Sequence, residues 1–359
     1  MGAAAARDNP DFGVRLRCVS TTMRYSFFSV MDHHPAGARS VADYYAQLFR
    51  AAAAAESLGY DTLFVAEHHF HEYGVVPNPA VMLAALAQKT KRIRLGPAIA
   101  TLTFHNPLMV AESYAMLDLL SQGRLVLGVG SGYLKHEFAG FGVAPEEKRA
   151  RFDETLMLVR RLLAGERVTH KGAFHRIDGV ALNVRPVQHP TPPIYVAALA
   201  REASYHIGRQ GSRLMAIPYA TAATFTEVGE LQQAYRRGHS EAGHAADADD
   251  AIYTFHCHVA ASDEEARKNA AGPFDLYVAT RLYARRQTYD DVLASGLALF
   301  GSAETVARKV SALRQMGIGH IALLMDFGLM PEELVRRSMR AFAADVMPRV
   351  MAQEPGTAG

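Results

Sequence analysis

The stretch Ala66–Gly74, AEHHFHEYG, places three histidines (His68, His69, His71) and two glutamates (Glu67, Glu72) within six residues. Imidazoles exchange protons near neutral pH and carboxylates orient them, so the cluster suits acid/base chemistry. It also suits a metal or a polar loop. A metal needs ligands at matched reach, as HExxH provides on one helix face. Here the histidines stand where a strand runs into a loop, and neighbouring side chains alternate in direction. No metal is therefore expected.

The elements that must hold this cluster follow from the hydrophobic pattern. Apolar β-rich runs at 23–31, 61–66, 93–101, 124–130, 194–199, 213–219, 251–260 and 320–327 alternate with helical stretches such as 41–60, 106–123 and 145–166. The runs are nearly continuous in apolar residues, as in strands covered on both faces. Eight strand-then-helix units predict an α/β fold, a (β/α)8 TIM barrel with insertions after strands 4 and 7. Residues 167–193, rich in proline, read as an irregular excursion within one domain over 23–350. Residues 1–22 read as an extension or a mis-assigned start. No GxGxxG follows the first strand, which argues against an open dinucleotide-binding sheet, and GVGSGY at 128–133 is in the wrong unit. In a barrel, sites form at the C-terminal ends of strands, where Glu67 and His68 stand.

Charge and composition narrow the classes. The net charge is +2 and no long basic run occurs. A nucleic-acid or anionic-membrane surface is thus not expected; the nearest candidate, RLYARRQ with Arg281, Arg285 and Arg286, reads as a solvated helix face. Two cysteines, Cys18 and Cys257, exclude a disulfide framework and fit a reducing cytoplasm. No apolar run is long enough to span a bilayer.

LFVAEHHFHEYG, the block IRLGPAIATLTFHNPLMVAESYAMLDLLSQGRLVLGVGSGY, then EEKRARFDETL, PPIYVAA and DVMP occur in order from Met23 to Pro348. Together they resemble the bacterial luciferase-like flavin monooxygenases. The resemblance implies a barrel that binds reduced FMN (FMNH2) supplied by a separate flavin reductase. O2 would add at the flavin C4a carbon, and the resulting hydroperoxide would oxygenate a hydrophobic small molecule. It implies a homodimer packed through the early helices. The runner-up is a coenzyme F420- or flavin-dependent oxidoreductase that transfers hydride without O2. A third reading is a non-catalytic luciferase-like partner subunit, which His68 and Arg149 argue against.

The same resemblance assigns residues. His68 matches the acid/base histidine, and Glu67 would orient it or stand behind it. Ala98 and Ile99 would underlie the flavin ring through a non-proline cis peptide. The phosphate would be held by Arg149, with Arg151 as fallback, by Ser131, and by the start of the helix after the fifth strand: Leu199, Ala200, Arg201 and Ser204. Luciferases carry Cys-Arg where this chain has Gly130-Ser131, and Glu-Ser where it has Leu199-Ala200. Arg201 would compensate for the lost arginine, and Gly130 would leave room beside the ring. Asn106 reads as a helix N-cap. Residues 263–301, with Gly272, Pro273, Gly296 and Gly301 as hinges, are the candidate lid that excludes water.

Overall fold

The computed structural model describes residues 23–72, 74–244, 250–280 and 287–352. The N-terminal extension, Cys18, and the basic stretch with Arg281, Arg285 and Arg286 lie outside the described residues.

The chain starts with β1 (Arg24–Ser29), α1 (Val41–Ser57), β2 (Thr62–Val65), α2 (Pro79–Ala87) and β3 (Arg94–Pro97). A short continuation of the third strand, β4 (Ala100–Thr101), leads to α3 (Pro107–Leu120), then β5 (Leu127–Gly130). These helices begin where their sequences demand it. Ser40 and Asn106 accept hydrogen bonds from Asp43 N and Leu108 N, and Pro107 occupies a first-turn position that needs no donor. The expected cap role of Asn106 is thus observed.

After β5 come α4 (Lys135–Phe141), α5 (Lys148–Leu163) and an antiparallel hairpin, β6 (Val168–Lys171) with β7 (Arg176–Val180). The hairpin occupies part of what the sequence suggested was irregular. The barrel resumes with β8 (Ile194–Ala198), α6 (Arg201–Arg209), β9 (Arg213–Ala216), α7 (Pro218–Thr221), α8 (Phe225–Glu241) and β10 (Ile252–Ala260). A second insertion holds α9 (Asp263–Ala279), α10 (Tyr289–Ala294) and β11 (Ala298–Ser302). The chain continues through α11 (Ala303–Gln315), β12 (His320–Asp326), α12 (Glu332–Ala341) and α13 (Met347–Ala352).

The sheet runs β3-β2-β1-β12-β10-β9-β8-β5-β4. Every pair in it is parallel. Since β4 continues β3 and pairs with β5, and Leu95 bridges to Leu125, the ring closes. This is the predicted (β/α)8 barrel, with its insertions after the fourth and seventh strands. Closure is tight enough to need glycine. A Cβ on Gly96 would lie 2.2 Å from the Val126 carbonyl oxygen, and one on Gly128 would lie 2.4 Å from that of Pro97.

β10 is longer than its barrel role requires. Its first half pairs with β9 and β12, and its far end, His256–Ala260, pairs with β11. Phe274, Tyr277, Tyr289 and Phe300 are all buried there. The described part of the candidate lid is therefore packed: Tyr289 stacks on Phe300 at 5.0 Å, and Phe274 meets Phe300 and Phe327 edge-on. Residues 281–286 of that stretch lie outside the described residues. Among the described residues no helix is long and apolar enough to cross a membrane.

Candidate active site

At the C-terminal ends of the strands a cavity of about 410 Å³ opens. Its wall is mostly apolar, with Phe28, Val30, Ile99, Met215, Ile217 and Leu324 contributing from four strand ends. Glu67, His68, Ala98, Ile99, Gly130, Ser131, Arg149, Leu199 and Ala200 all line it. Nine residues nominated from sequence, spread over more than a hundred positions, thus converge on one space.

The acid/base cluster is built differently from the expectation. His68 is not oriented by Glu67. Its Nδ1 lies 3.2 Å from Oε1 of Glu137, which also accepts the His69 backbone N–H at 3.0 Å. Glu137 comes from α4, in the insertion after β5, and is 2% exposed. Glu67 instead serves two other imidazoles: His69 Nε2 at 3.1 Å and His105 Nε2 at 2.7 Å. His68 and Glu67 line the cavity just past β2, whereas His69 turns towards His105, which follows β4.

Burial works against ionisation of Glu67, but the hydrogen bonds from His105 and His69 outweigh it and bring its pKa down to about 2. Burial likewise opposes the charged form of His105, and its bond to Glu67 prevails and raises its pKa. Both directions describe one ion pair. Glu67, His69 and His105 also form a grouping of potential metal ligands, their atoms within 4.8 Å of one another. The imidazole–carboxylate hydrogen bonds already satisfy the ring nitrogens that a metal would need.

The segment expected to underlie a flavin ring has the expected geometry in one respect and not in another. The Ala98–Ile99 peptide is cis, and both residues face the cavity. Gly130 does not leave free room, however: a Cβ there would meet Ile99 Cδ1 at 2.8 Å, so the isoleucine already fills that space.

Of the cations expected to hold an anion, the cavity takes in Arg149, together with its neighbour. Arg149 lines the cavity mouth and pairs with Asp153 at 2.8 Å. Its neighbour Lys148, which sequence reasoning passed over, also lines the cavity. Arg151 is engaged elsewhere, with Glu147 at 2.8 Å and over the Phe174 ring. Arg201 does not reach the cavity, correcting its assignment: its guanidinium is held on the outside by Glu227 and Glu230 of α8. What remains at this end is the start of α6. Its N-cap Ala200 offers no side-chain cap, which leaves backbone N–H groups for an anion. Ser204, nominated for the same role, is fully buried with an unpartnered hydroxyl and does not form part of the cavity wall.

Sequence reasoning also missed Tyr133, His256 and Tyr277, which line the cavity. For Glu137 a signal existed: the KHEF segment lies just past the end of the fourth strand, on the catalytic rim.

This is a barrel enzyme site with a histidine–carboxylate pair, an apolar chamber and a cationic mouth. The profile of the luciferase-like monooxygenase family matches residues 23–320, and the chain belongs to that family. It is similar to the monooxygenase RslO1 from Streptomyces bottropensis, at 33% identity and a TM-score of 0.84, over 91% of this chain and 99% of that one. It shares its fold with the oxygenating constituent of 3,6-diketocamphane monooxygenase from Pseudomonas putida, solved in complex with FMN (20% identity, TM-score 0.79, covering 91% and 98%). An F420-dependent glucose-6-phosphate dehydrogenase of Amycolatopsis mediterranei is 36% identical over 164 residues, 44% of this chain and 49% of that protein.

Proposed function

We propose that the protein is the oxygenase of a two-component system. It receives FMNH2 from a separate flavin reductase and uses O2 to oxygenate a hydrophobic small molecule. The observation that carries this reading is the cavity itself: an apolar chamber with a proton-handling histidine on one wall and a cationic mouth on another.

The residues fit FMN. Lys148, Arg149, Ser131 and the uncapped start of α6 would hold the phosphate, and Ala98, Ile99, Gly130 and Leu199 would flank the ring. Reduced FMN, when bound, supplies the electrons that activate O2. The protein supplies the rest. Its apolar wall keeps water from the reacting centre. His68, fixed by Glu137, holds or delivers a proton at its Nε2. Glu67 stays ionised and locks His69 and His105 beside it.

The partial likeness to an F420-dependent dehydrogenase supports the second reading, hydride transfer without O2. An anaerobic titration separates the two. Reduced FMN is expected to bind at least about tenfold more tightly than reduced F420, a gap of ~1.4 kcal/mol. Free FMNH2 reoxidises in air by itself, so stoichiometric FMNH2 mixed with aerated buffer should follow a reoxidation time course that the protein changes. Tighter F420 binding, with a time course identical to that of free FMNH2, would overturn the oxygenase reading.

We also propose a homodimer. Val81 on α2 and Met109 and Met116 on α3 are 67%, 68% and 51% exposed, an apolar face that a second copy would cover. Met116→Glu is expected to give a monomer by light scattering; an unchanged mass would remove this face as the interface.

A further inference from the structure

Three polar stations interrupt the apolar cavity, and the reading above uses two of them, His68 on the β2 rim and the cations at the β5 side. The third is on β10. Thr254 and His256 are two residues apart on one strand and so point to the same side, and both line the cavity. Tyr277 reaches the same wall from α9. Around the eight-strand ring, β10 stands three strands from β5 in one direction and three from β2 in the other. The station therefore faces both of the others across the chamber.

His256 is held there by packing. It is 4% exposed. Its ring meets Phe274 and Tyr277 at 5.1 Å, Tyr219 at 5.4 Å and Phe327 at 5.7 Å, all edge-on. Four such contacts, two from α9 and one each from α7 and the segment after β12, leave the imidazole little freedom, so its place in the wall is set by the fold.

We infer that Thr254, His256 and Tyr277 bind the oxygen function of the substrate, and that the substrate is an uncharged, largely apolar molecule bearing a hydroxyl or ketone. This rests on the flavin reading only for what the substrate meets in the chamber. The chemistry of the station excludes the alternatives. A hydroxyl, an imidazole and a phenol donate to and accept from a neutral oxygen. The cations that line the cavity, Lys148 and Arg149, are at the β5 side, and the carboxylates Glu67 and Glu137 are among the remaining wall. A substrate carboxylate seated at β10 would be a buried charge away from both cations, with the His256 imidazole alone to share it. A plain hydrocarbon would make no hydrogen bond to this station.

The test uses 2-naphthol, naphthalene and 2-naphthoate, titrated calorimetrically into the FMN-saturated protein. The wild type should bind 2-naphthol at least about tenfold more tightly than either of the others, as one or two well-made hydrogen bonds give. His256→Leu, close in volume, and Thr254→Val should each reduce the advantage over naphthalene severalfold without weakening naphthalene. Their FMN affinity and melting temperature report that both variants fold. A naphthol preference that survives both substitutions overturns the inference, as does tightest binding of 2-naphthoate or equal binding of all three. The order of the probes is also measured on the protein without cofactor. Failure of FMN to bind would thus count against the proposed function, and failure of the order would count against this inference.

Discussion

Oε1 of Glu137 lies 3.2 Å from Nδ1 of His68 and 3.0 Å from the backbone nitrogen of His69. One buried carboxylate therefore fixes both the His68 ring and the backbone of the segment that carries it. Glu137→Gln should keep the shape but remove the charge. We expect kcat to fall by about tenfold to a hundredfold, less than the ~10²–10⁴-fold of a general acid/base itself, because the imidazole stays in place, with little change in FMN affinity. The pH–rate profile should move to lower pH, because a negative charge that favours imidazolium has gone. A profile identical to wild type would show that Glu137 acts on structure alone.

The Glu67–His69–His105 network predicts a pH window for stability. Glu67 is depressed to about 2, so its contribution is present above the ordinary carboxylate value of about 4.3 and is lost as pH falls towards 2. His105 is raised, so its contribution is present below about 6.5 and is lost as pH rises through its elevated pKa. The pair is at full strength between these limits. Glu67→Gln should cost of order 3 kcal/mol there, the scale for breaking a buried pair, and less on either side. Denaturation of both proteins from pH 3 to 9 checks this. A constant difference across the range would contradict it.

How much of this was visible in the sequence depended on the kind of signal. The eight strands announced themselves because both faces are buried and their apolar runs are unbroken, and Glu67 and His68 followed as rim residues from strand 2. The hairpin at 168–180 was hidden: it carries Thr169, His170, Lys171, Arg176 and Asp178 and has little of the apolar pattern that marks a barrel strand. Contacts between distant segments were hidden too. Nothing local says that Glu137 is 69 positions away from its partner by sequence and in hydrogen-bond reach by fold. Arg201 was misplaced for a similar reason, since its glutamate partners lie on α8, two helices later.

Lys148 and Arg149 differ in how free each is to bind an anion. Arg149 is 58% exposed and shared with Asp153, whereas Lys148 lines the cavity with no ion pair among the described residues. Lys148→Ala should raise the dissociation constant for FMN about tenfold and leave riboflavin, which lacks the phosphate, within about twofold. Arg149→Ala should give a smaller change in the same direction. Equal losses for FMN and riboflavin would show that Lys148 shapes the chamber instead of holding phosphate.

Behind the cavity, Asp326 at the end of β12 is 1% exposed, and its carboxylate has the Arg39 guanidinium at 3.9 Å. Burial pushes its pKa up to about 7; Arg39 opposes this and nearby Asp32 adds to it. The sign is opposite to that of Glu67. A carboxyl whose folded pKa exceeds its unfolded value of about 3.9 binds its proton more tightly in the native state. Its favourable contribution is complete below pH ~4 and is lost as pH rises through about 7. Asp326→Asn cannot ionise, so it loses the Arg39 partner at every pH but escapes this slope. The stability of the variant relative to wild type should therefore climb by about 4 kcal/mol between pH 4 and 8 and then level off. Urea unfolding at stepped pH reads the difference directly, and parallel curves for the two proteins over that range would exclude a shifted Asp326.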